Sequence, residues 1–487
     1  MLPGSNLISR YVNIATKTVF IIAALLVLNA YLTRGTIGSW RTGHDGGHPN
    51  PDGDKAPPVP ETTPLNITQW GERGIRVKQL AHWAEFLIQS PARNRTLFET
   101  ALVTQFPYLA GALGSIYTPW ALARENNKPR PPGLGIVICA GSSNFHLAAH
   151  LIRNLRRVHR SQTPIEIAYA GDEDLKPEHR RFLSELEQHI SFIDLLQRFP
   201  AARQDLTKSG WAIKPFALLA SAYPRAILMD ADALFLTSPD SLFEIHPALK
   251  RTGTLFFHDR ALTGGNDERR SWLKDQIQAA GIEPSEYLTT ASLFYEGAPW
   301  FEADSGVVAL DKTIPKVLLG LMFAAWMNTK EVRDQVTYRV FYGDKETFWL
   351  AMELSGFQYS FQPWYTGTIG TISEGATEQP DLHLSVEKLE ICGTHVLHLD
   401  HLGQTPFWIN SGVYEDKNKP DDGYAKMTHY WGGNPSTNRL TQPQWYWKGN
   451  IACLKEVGVK VLPDQIKATV NGIQEAAIEV DQMIRHL

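Results

Sequence analysis

The chain has 487 residues, with 47 Lys and Arg against 51 Asp and Glu for a formal charge of −4, and 43% of its residues are hydrophobic. This balance excludes a polybasic nucleic-acid binder, wholesale disorder and a polytopic membrane carrier. Three cysteines (Cys139, Cys392, Cys453) are too few for a disulfide scaffold and allow at most one internal bridge, whose pairing the sequence leaves open.

Residues 19–32, VFIIAALLVLNAYL, carry no charge, follow Arg10 and Lys17 and precede Arg34. Extended back to Val12, with Lys17 snorkelling, the run approaches the roughly 20 residues that span a bilayer. A cleaved signal peptide is the rival reading, but no small-x-small site follows the run. Basic residues before the span keep the tail cytosolic. The prediction is a single-pass type II anchor: residues 1–11 tail, 12–32 span, and 33–70 a Gly- and Pro-rich unpacked stem. Two sequons, at Asn66 and Asn94, lie beyond the span.

Residues 71–130 read as a helical lead-in, broken by Pro91 and Pro107. From 131 to 462 the pattern is α/β. Gly135 to Ala140 is a buried strand closed by Gly141-Ser142-Ser143 and followed by a helix; Ile165 to Ala170, closed by Gly171-Asp172, repeats it. Then come a helix over Trp211 to Ser221 and a strand over Ala226 to Met229. Alternation of this kind predicts a mainly parallel sheet with ligands beyond the strands' carboxyl ends. Asp230-Ala231-Asp232 follows that last strand, so both carboxylates can reach one hard divalent cation. Residues 463–487 form one helical apolar stripe, suited to docking on its own domain or on a partner.

Four segments in order, Trp211 to Leu218, Ile227 to Asp232, Glu302 to Val308 and Gly343 to Trp349, resemble the motifs of the fungal alpha-1,3-mannosyltransferases (glycosyltransferase family 71). The resemblance spans roughly Gly133 to Leu402. It implies a GT-A fold, GDP-mannose as donor, a divalent metal taken to be Mn²⁺, a mannose-containing glycan acceptor and a retaining alpha transfer in the Golgi, with a catalytic body in the lumen. Other Golgi transferases are candidate partners; nucleic acid is not. A different nucleotide sugar on the same fold, or a catalytically silent glycan-binding module, are the alternatives.

Carried over by motif, Asp230 and Asp232 would hold the metal, with His398 as third ligand and His401 as runner-up. Related retaining enzymes carry a lysine just after that histidine; Gly403 to Trp408 lacks it, so Lys214 is the candidate cation. Gly141, Ser142 and Asp172 are candidates for the nucleotide. The acidic clusters Glu302/Asp304 and Asp344/Glu346 are assigned to the sugar side, with Asp304 and Glu346 nearest the reacting centre and Asp344 also fit to cap the following helix. Aromatic residues between Pro406 and Trp447 would stack on sugars or pack a lid.

Overall fold

A computed structural model of the chain describes residues 63, 65–89, 94–122, 133–262, 267–297, 299–372, 386–436, 445–448 and 451–487. The expected tail, the expected anchor over 12–32 and nearly all of the expected stem lie outside the described residues. Among the described residues no helix is long and apolar enough to cross a membrane. The sequon asparagines Asn66 and Asn94 are exposed.

Two helices lead in: α1 (Trp70–Gln89) and α2 (Arg95–Gln105). They belong to the compact unit Ala56–Leu487. Trp70, Trp83 and Phe98 are fully buried in the core that also holds much of the α/β region. Burying rings of this size contributes about 1.5–3 kcal/mol apiece. A Cβ on Gly74 would stand 2.0 Å from the carbonyl oxygen of Leu354, so only glycine lets α1 approach this closely.

The α/β part runs β1 (Leu134–Cys139), α3 (Phe145–Arg153), β2 (Ile165–Tyr169), α4 (Pro177–Leu186), β3 (Ile190–Asp194), α5 (Lys214–Ala220), β4 (Arg225–Asp230), β5 (Leu234–Phe235), β6 (Thr254–His258), α6 (Asp267–Ala280), β7 (Ala303–Asp311), α7 (Pro315–Met327) and α8 (Thr347–Leu354). The first sheet has the order β3-β2-β1-β4-β7-β6. Strands β3, β2, β1 and β4 are parallel, whereas β7 runs antiparallel to both β4 and β6. Val137 faces one core while Ile136 and Ile138 face the other. Both faces of the sheet are covered, which is why its strands read as continuous apolar runs.

The expected mainly parallel sheet is thus one half of the molecule. A second sheet, in the order β12-β13-β11-β8-β9-β10-β5 with β13 also paired to β9, is wholly antiparallel in its recorded pairings. Beyond β5 it is built from β8 (Gly367–Ile372), β9 (Val386–Leu399), β10 (Pro406–Asn410), β11 (His429–Trp431), β12 (Trp445–Lys448) and β13 (Ile451–Val461). Because β5 follows Asp232 at once and pairs with β10, the two sheets meet at the Asp-Ala-Asp turn. The aromatic-rich stretch after Pro406 therefore serves mostly as sheet and packing: Trp408 is fully buried, although Trp447 is exposed. The terminal helix α9 (Asp464–Ile484) lays Ile466, Val470, Ile473, Ala477 and Val480 against its own domain, touching α3.

A disulfide joins Cys392 on β9 to Cys453 on β13, and Cys139 is free. The bridged cysteines are 61 residues apart in sequence. Replacing both with Ser should lower stability by about 2–4 kcal/mol, because the unfolded chain regains the closed loop's freedom. Denaturant unfolding checks this: an unchanged midpoint would mean the β9 and β13 pairing holds without the bridge.

Candidate active site

Side chains along β4 alternate between the two cores, Leu228 on one side and Met229 on the other. Asp230 falls on the Leu228 side, which α5 covers. There Lys214, the first residue of α5, places Nζ 2.8 Å from Asp230 Oδ1, 3.0 Å from Ser305 Oγ and 3.7 Å from Asp344. Ser305 Oγ in turn donates to Asp344 at 3.1 Å. Burial pushes the Asp230 carboxyl up to about 7, against the pull of Lys214, and the like charge of Asp232 adds to the rise. Burial also raises Asp344, opposed by Lys214. For Lys214 itself burial works downward, but the two carboxylates win and hold it above the ordinary lysine value.

Lys214 is therefore a buried strut beneath the acidic turn, not a cation open to a donor's phosphates. Asp344 faces Lys214 and Ser305, and makes no side-chain cap on α8, whose first residue is Thr347.

The other acidic residue of the turn, Asp232, is met by Lys417 from the hairpin after β10. The backbone N–H of Gly412 donates to the Asp232 carbonyl at 2.7 Å. This turn needs Ser411 at φ 97° and Gly412 at φ 78°, the first a strained position for a residue with a Cβ. Lys417 lies only nine positions past Trp408, in a polar run whose charges read as solvated loop. Sequence alone gives no signal that it folds back onto Asp232.

Asp304 sits near the start of β7 with its side chain 11% exposed. Its Oδ1 accepts from the N–H of Gly306 at 2.8 Å, and Oδ2 lies 3.0 Å from His398 Nε2. Asn410, another residue the sequence reading passed over, adds a longer contact at 3.3 Å. His398 stacks on Trp408, its cross-strand neighbour, at 3.9 Å between ring centres and 8° between planes. Burial acts to raise the Asp304 carboxyl, but His398 and the Gly306 N–H overcome it and hold the group well below the usual carboxylate range.

The structure therefore brings His398 to Asp304 and not to the Asp230/Asp232 pair. Among the described residues, the only three metal-ligating side chains gathered within 4.8 Å are Glu390 and the disulfide cysteines Cys392 and Cys453. The late histidine within electrostatic reach of Asp232 is His395, pushed down to about 4 by burial. His401, the runner-up, packs edge-on against His246.

Glu302 and Glu346 are fully buried. The hydroxyls of Tyr287, Tyr365 and Ser292 donate to Glu302, and His258 Nδ1 lies 2.8 Å away. Glu346 Oε1 accepts the backbone N–H groups of Glu302 (3.1 Å) and Ala303 (3.2 Å), and Oε2 accepts the Trp349 indole N–H at 2.6 Å. Burial pushes Glu346 up to about 7, with Lys345 opposing. Expected beside the reacting centre, Glu346 instead grips the backbone that leads into Asp304.

At the positions expected to meet a nucleotide, the turns after β1 and β2 are laced together. The Gly141 N–H donates to Asn144 Oδ1 (2.7 Å), the Ser142 N–H to the Asp174 carbonyl (2.7 Å), and the Lys176 N–H to Ser142 Oγ (3.0 Å). Asp174 Oδ2 accepts from the Ala170 N–H at 2.8 Å, which makes Asp174 the organising carboxylate here. Asp172 is an exposed residue paired with Arg180 at 2.8 Å.

A profile of the mannosyltransferase family Mannosyl_trans3 matches residues 133–400, more than half of the chain and all of the acidic motifs above. The alpha-1,3-mannosyltransferase MNN1 of Saccharomyces cerevisiae is 26% identical over 345 residues, covering 61% of this chain and 42% of its own length. Alpha-1,3-mannosyltransferase MNT3 of the same yeast is 26% identical over 297 residues, covering 56% of this chain and 45% of its own. This chain thus spans less than half the length of either relative. Among solved structures, the mannosyltransferase Ktr4p from S. cerevisiae aligns at 10% identity with a TM-score of 0.29, covering 48% of this chain and 68% of that one.

Proposed function

The chain belongs to the Mannosyl_trans3 mannosyltransferase family, and from that premise we propose that it is a retaining, metal-dependent GT-A transferase that moves mannose from GDP-mannose onto a mannose-containing glycan in alpha-1,3 linkage. The observation that carries the reading is the meeting of Asp230, Asp232 and Lys417 at the junction of the two sheets. Transfer from a nucleoside diphosphate sugar needs charge neutralised on the leaving diphosphate, and an acidic pair with an adjacent ammonium fits that need.

Asp230 and Asp232 fit a divalent cation as hard oxygen ligands, and their mutual repulsion, which helps raise Asp230, is a cost that such a cation removes. When bound, Mn²⁺ would supply Lewis acidity at the diphosphate. Lys214 keeps Asp230 in place from below. Lys417, with its side chain 40% exposed, is the cation able to reach phosphate oxygens from the solvent side. Asp304, held ionised by His398, is the carboxylate assigned to the anomeric carbon, while Glu302, Glu346 and Asp344 fix its strand. Retention would follow either from attack of that carboxylate on the anomeric carbon with loss of the diphosphate, then displacement of the carboxylate by the acceptor hydroxyl, or from acceptor attack on the face the diphosphate leaves, with the departing diphosphate taking the acceptor proton.

The apolar run at 12–32, the exposed sequons and the Cys392–Cys453 bridge support a Golgi type II setting with the body in an oxidising lumen. The test is a donor panel of GDP-mannose, UDP-glucose and UDP-galactose with Mn²⁺ on alpha-mannoside acceptors. Turnover is expected with GDP-mannose and the product should carry an alpha-1,3 linkage. Transfer from a UDP-sugar alone would overturn the donor assignment, and no transfer from any donor would overturn the enzyme reading.

A further inference from the structure

One carboxylate outside the acidic cluster ties three separate parts of the fold together. Asp481 lies near the end of α9 with its side chain 16% exposed. Its Oδ1 is 2.8 Å from His150 Nε2 on α3 and accepts from the Tyr414 hydroxyl at 2.8 Å; its Oδ2 accepts from the Tyr424 hydroxyl at 2.6 Å. Burial would raise this carboxyl, yet His150 and the two phenols hold it below its ordinary value, so the group is kept as a charged acceptor.

Tyr414 and Tyr424 are the two feet of the hairpin that carries Lys417. They form an isolated antiparallel bridge, and their rings stack at 5.5 Å and 25°. Around them, the Glu415 N–H donates to the Gly423 carbonyl at 2.9 Å and the Ala425 N–H to the Val413 carbonyl at 3.0 Å. Nothing in the described mechanism needs two phenols turned onto a helix at the far end of the chain. Their shared acceptor fixes the hairpin's base, and the hairpin's tip delivers an ammonium to Asp232. A long lysine side chain loses rotamer freedom on reaching an ion, so a rigid base makes its position reproducible.

We infer that Asp481 is the positioning residue of the Lys417 hairpin, anchoring its base to α3 and α9 so that Lys417 is held over the donor-diphosphate side of the acidic turn. This rests on the proposed role of Lys417 at the diphosphate. A plain structural clamp for α9 is the competing account, and it has a different signature: its loss would weaken the protein whether or not Lys417 is present.

The experiment is a double-mutant cycle in the full chain between Asp481→Asn and Lys417→Ala, read as affinity for Mn²⁺–GDP and Mn²⁺–UDP by calorimetry and as kcat and KM for donor and acceptor. Asp481→Asn should weaken nucleotide affinity and donor kcat/KM roughly tenfold and leave the acceptor KM in place, and in the Lys417→Ala background the same change should add less than about twofold. If Asp481→Asn does not fold, Tyr424→Phe removes one hydrogen bond at the hairpin's foot and should show about a threefold effect that disappears in the Lys417→Ala background. Equal penalties in both backgrounds, or a folded Asp481→Asn protein with unchanged nucleotide affinity, would overturn the inference while leaving the transferase reading intact. Unchanged affinity in Lys417→Ala alone would overturn the inference together with the assignment of Lys417. No nucleotide binding by the parent protein would defeat the donor reading itself and, with it, the inference.

Discussion

Asp232→Asn should lower turnover with the proposed donor, GDP-mannose, by roughly 10³-fold or more while leaving the protein folded, because the proposed charge stabilisation on the departing diphosphate is lost but no buried partner is stranded. Asn keeps the shape and one oxygen, yet carries no charge for a cation. The partner left behind is Lys417, which is substantially solvated, so the stability change stays within about 1 kcal/mol. Asp230→Asn should lose turnover to a similar degree and also weaken the fold. Lys214, its partner, is buried, and removing one member of such a pair costs about 3–5 kcal/mol; Asp344 and Ser305 remain beside it and reduce that figure. The pair of variants is therefore diagnostic when kcat against Mn²⁺ concentration and thermal unfolding are measured together. Asp232→Asn retaining activity within about threefold of the parent would remove the acidic turn from the mechanism.

Periodicity exposes the strands of the first sheet and hides those of the second. Strands β1, β2 and β4 are short apolar runs closed by glycine or aspartate, and burial on both faces makes such runs conspicuous. The antiparallel course of β7 was not legible. Its composition, ADSGVVALD, is that of any buried strand, and direction is decided by the connection through α6 and the residues between. The strands between Pro406 and Trp447 do not stand out in the sequence, because β10 and β12 are short and their aromatics crowd out the alternation that marks a strand. At the site, Asp230 and Asp232 could be placed from the strand before them. The partners of Lys214 and His398 could not: a lysine at the start of a helix and a histidine near the end of a strand are each compatible with several neighbours; cross-strand register sets Trp408 beside His398, and the approach of the two sheets brings it to Asp304. Lys417 is hidden for a further reason, since its hairpin is turned back by backbone at positive φ, including Ser411 and Gly412, which residue type alone does not announce.

The two acidic residues expected nearest the anomeric carbon should separate cleanly. Asp304→Asn should lower kcat by about 10³-fold at temperatures where the variant is folded, with a small change in donor KM, because the group lost is the carboxylate proposed to face developing positive charge. Its depressed value means the parent's carboxylate contribution is fully present above the unfolded value near pH 3.9 and is lost as pH falls through the lower folded value, so no acid limb from Asp304 should enter the rate profile between pH 5 and 8. Glu346→Gln should behave oppositely. Oε1 and Oε2 both accept, from two backbone N–H groups and an indole, and an amide must turn an NH₂ towards one of those donors. Leaving a buried donor unsatisfied costs about 1–3 kcal/mol, so stability falls while kcat per folded molecule drops no more than roughly tenfold through a small shift of Asp304. Unfolding midpoints and single-turnover rates on both variants decide it. Equal rate losses would put Glu346 in contact with substrate, and an active Asp304→Asn would leave the sugar without its proposed carboxylate.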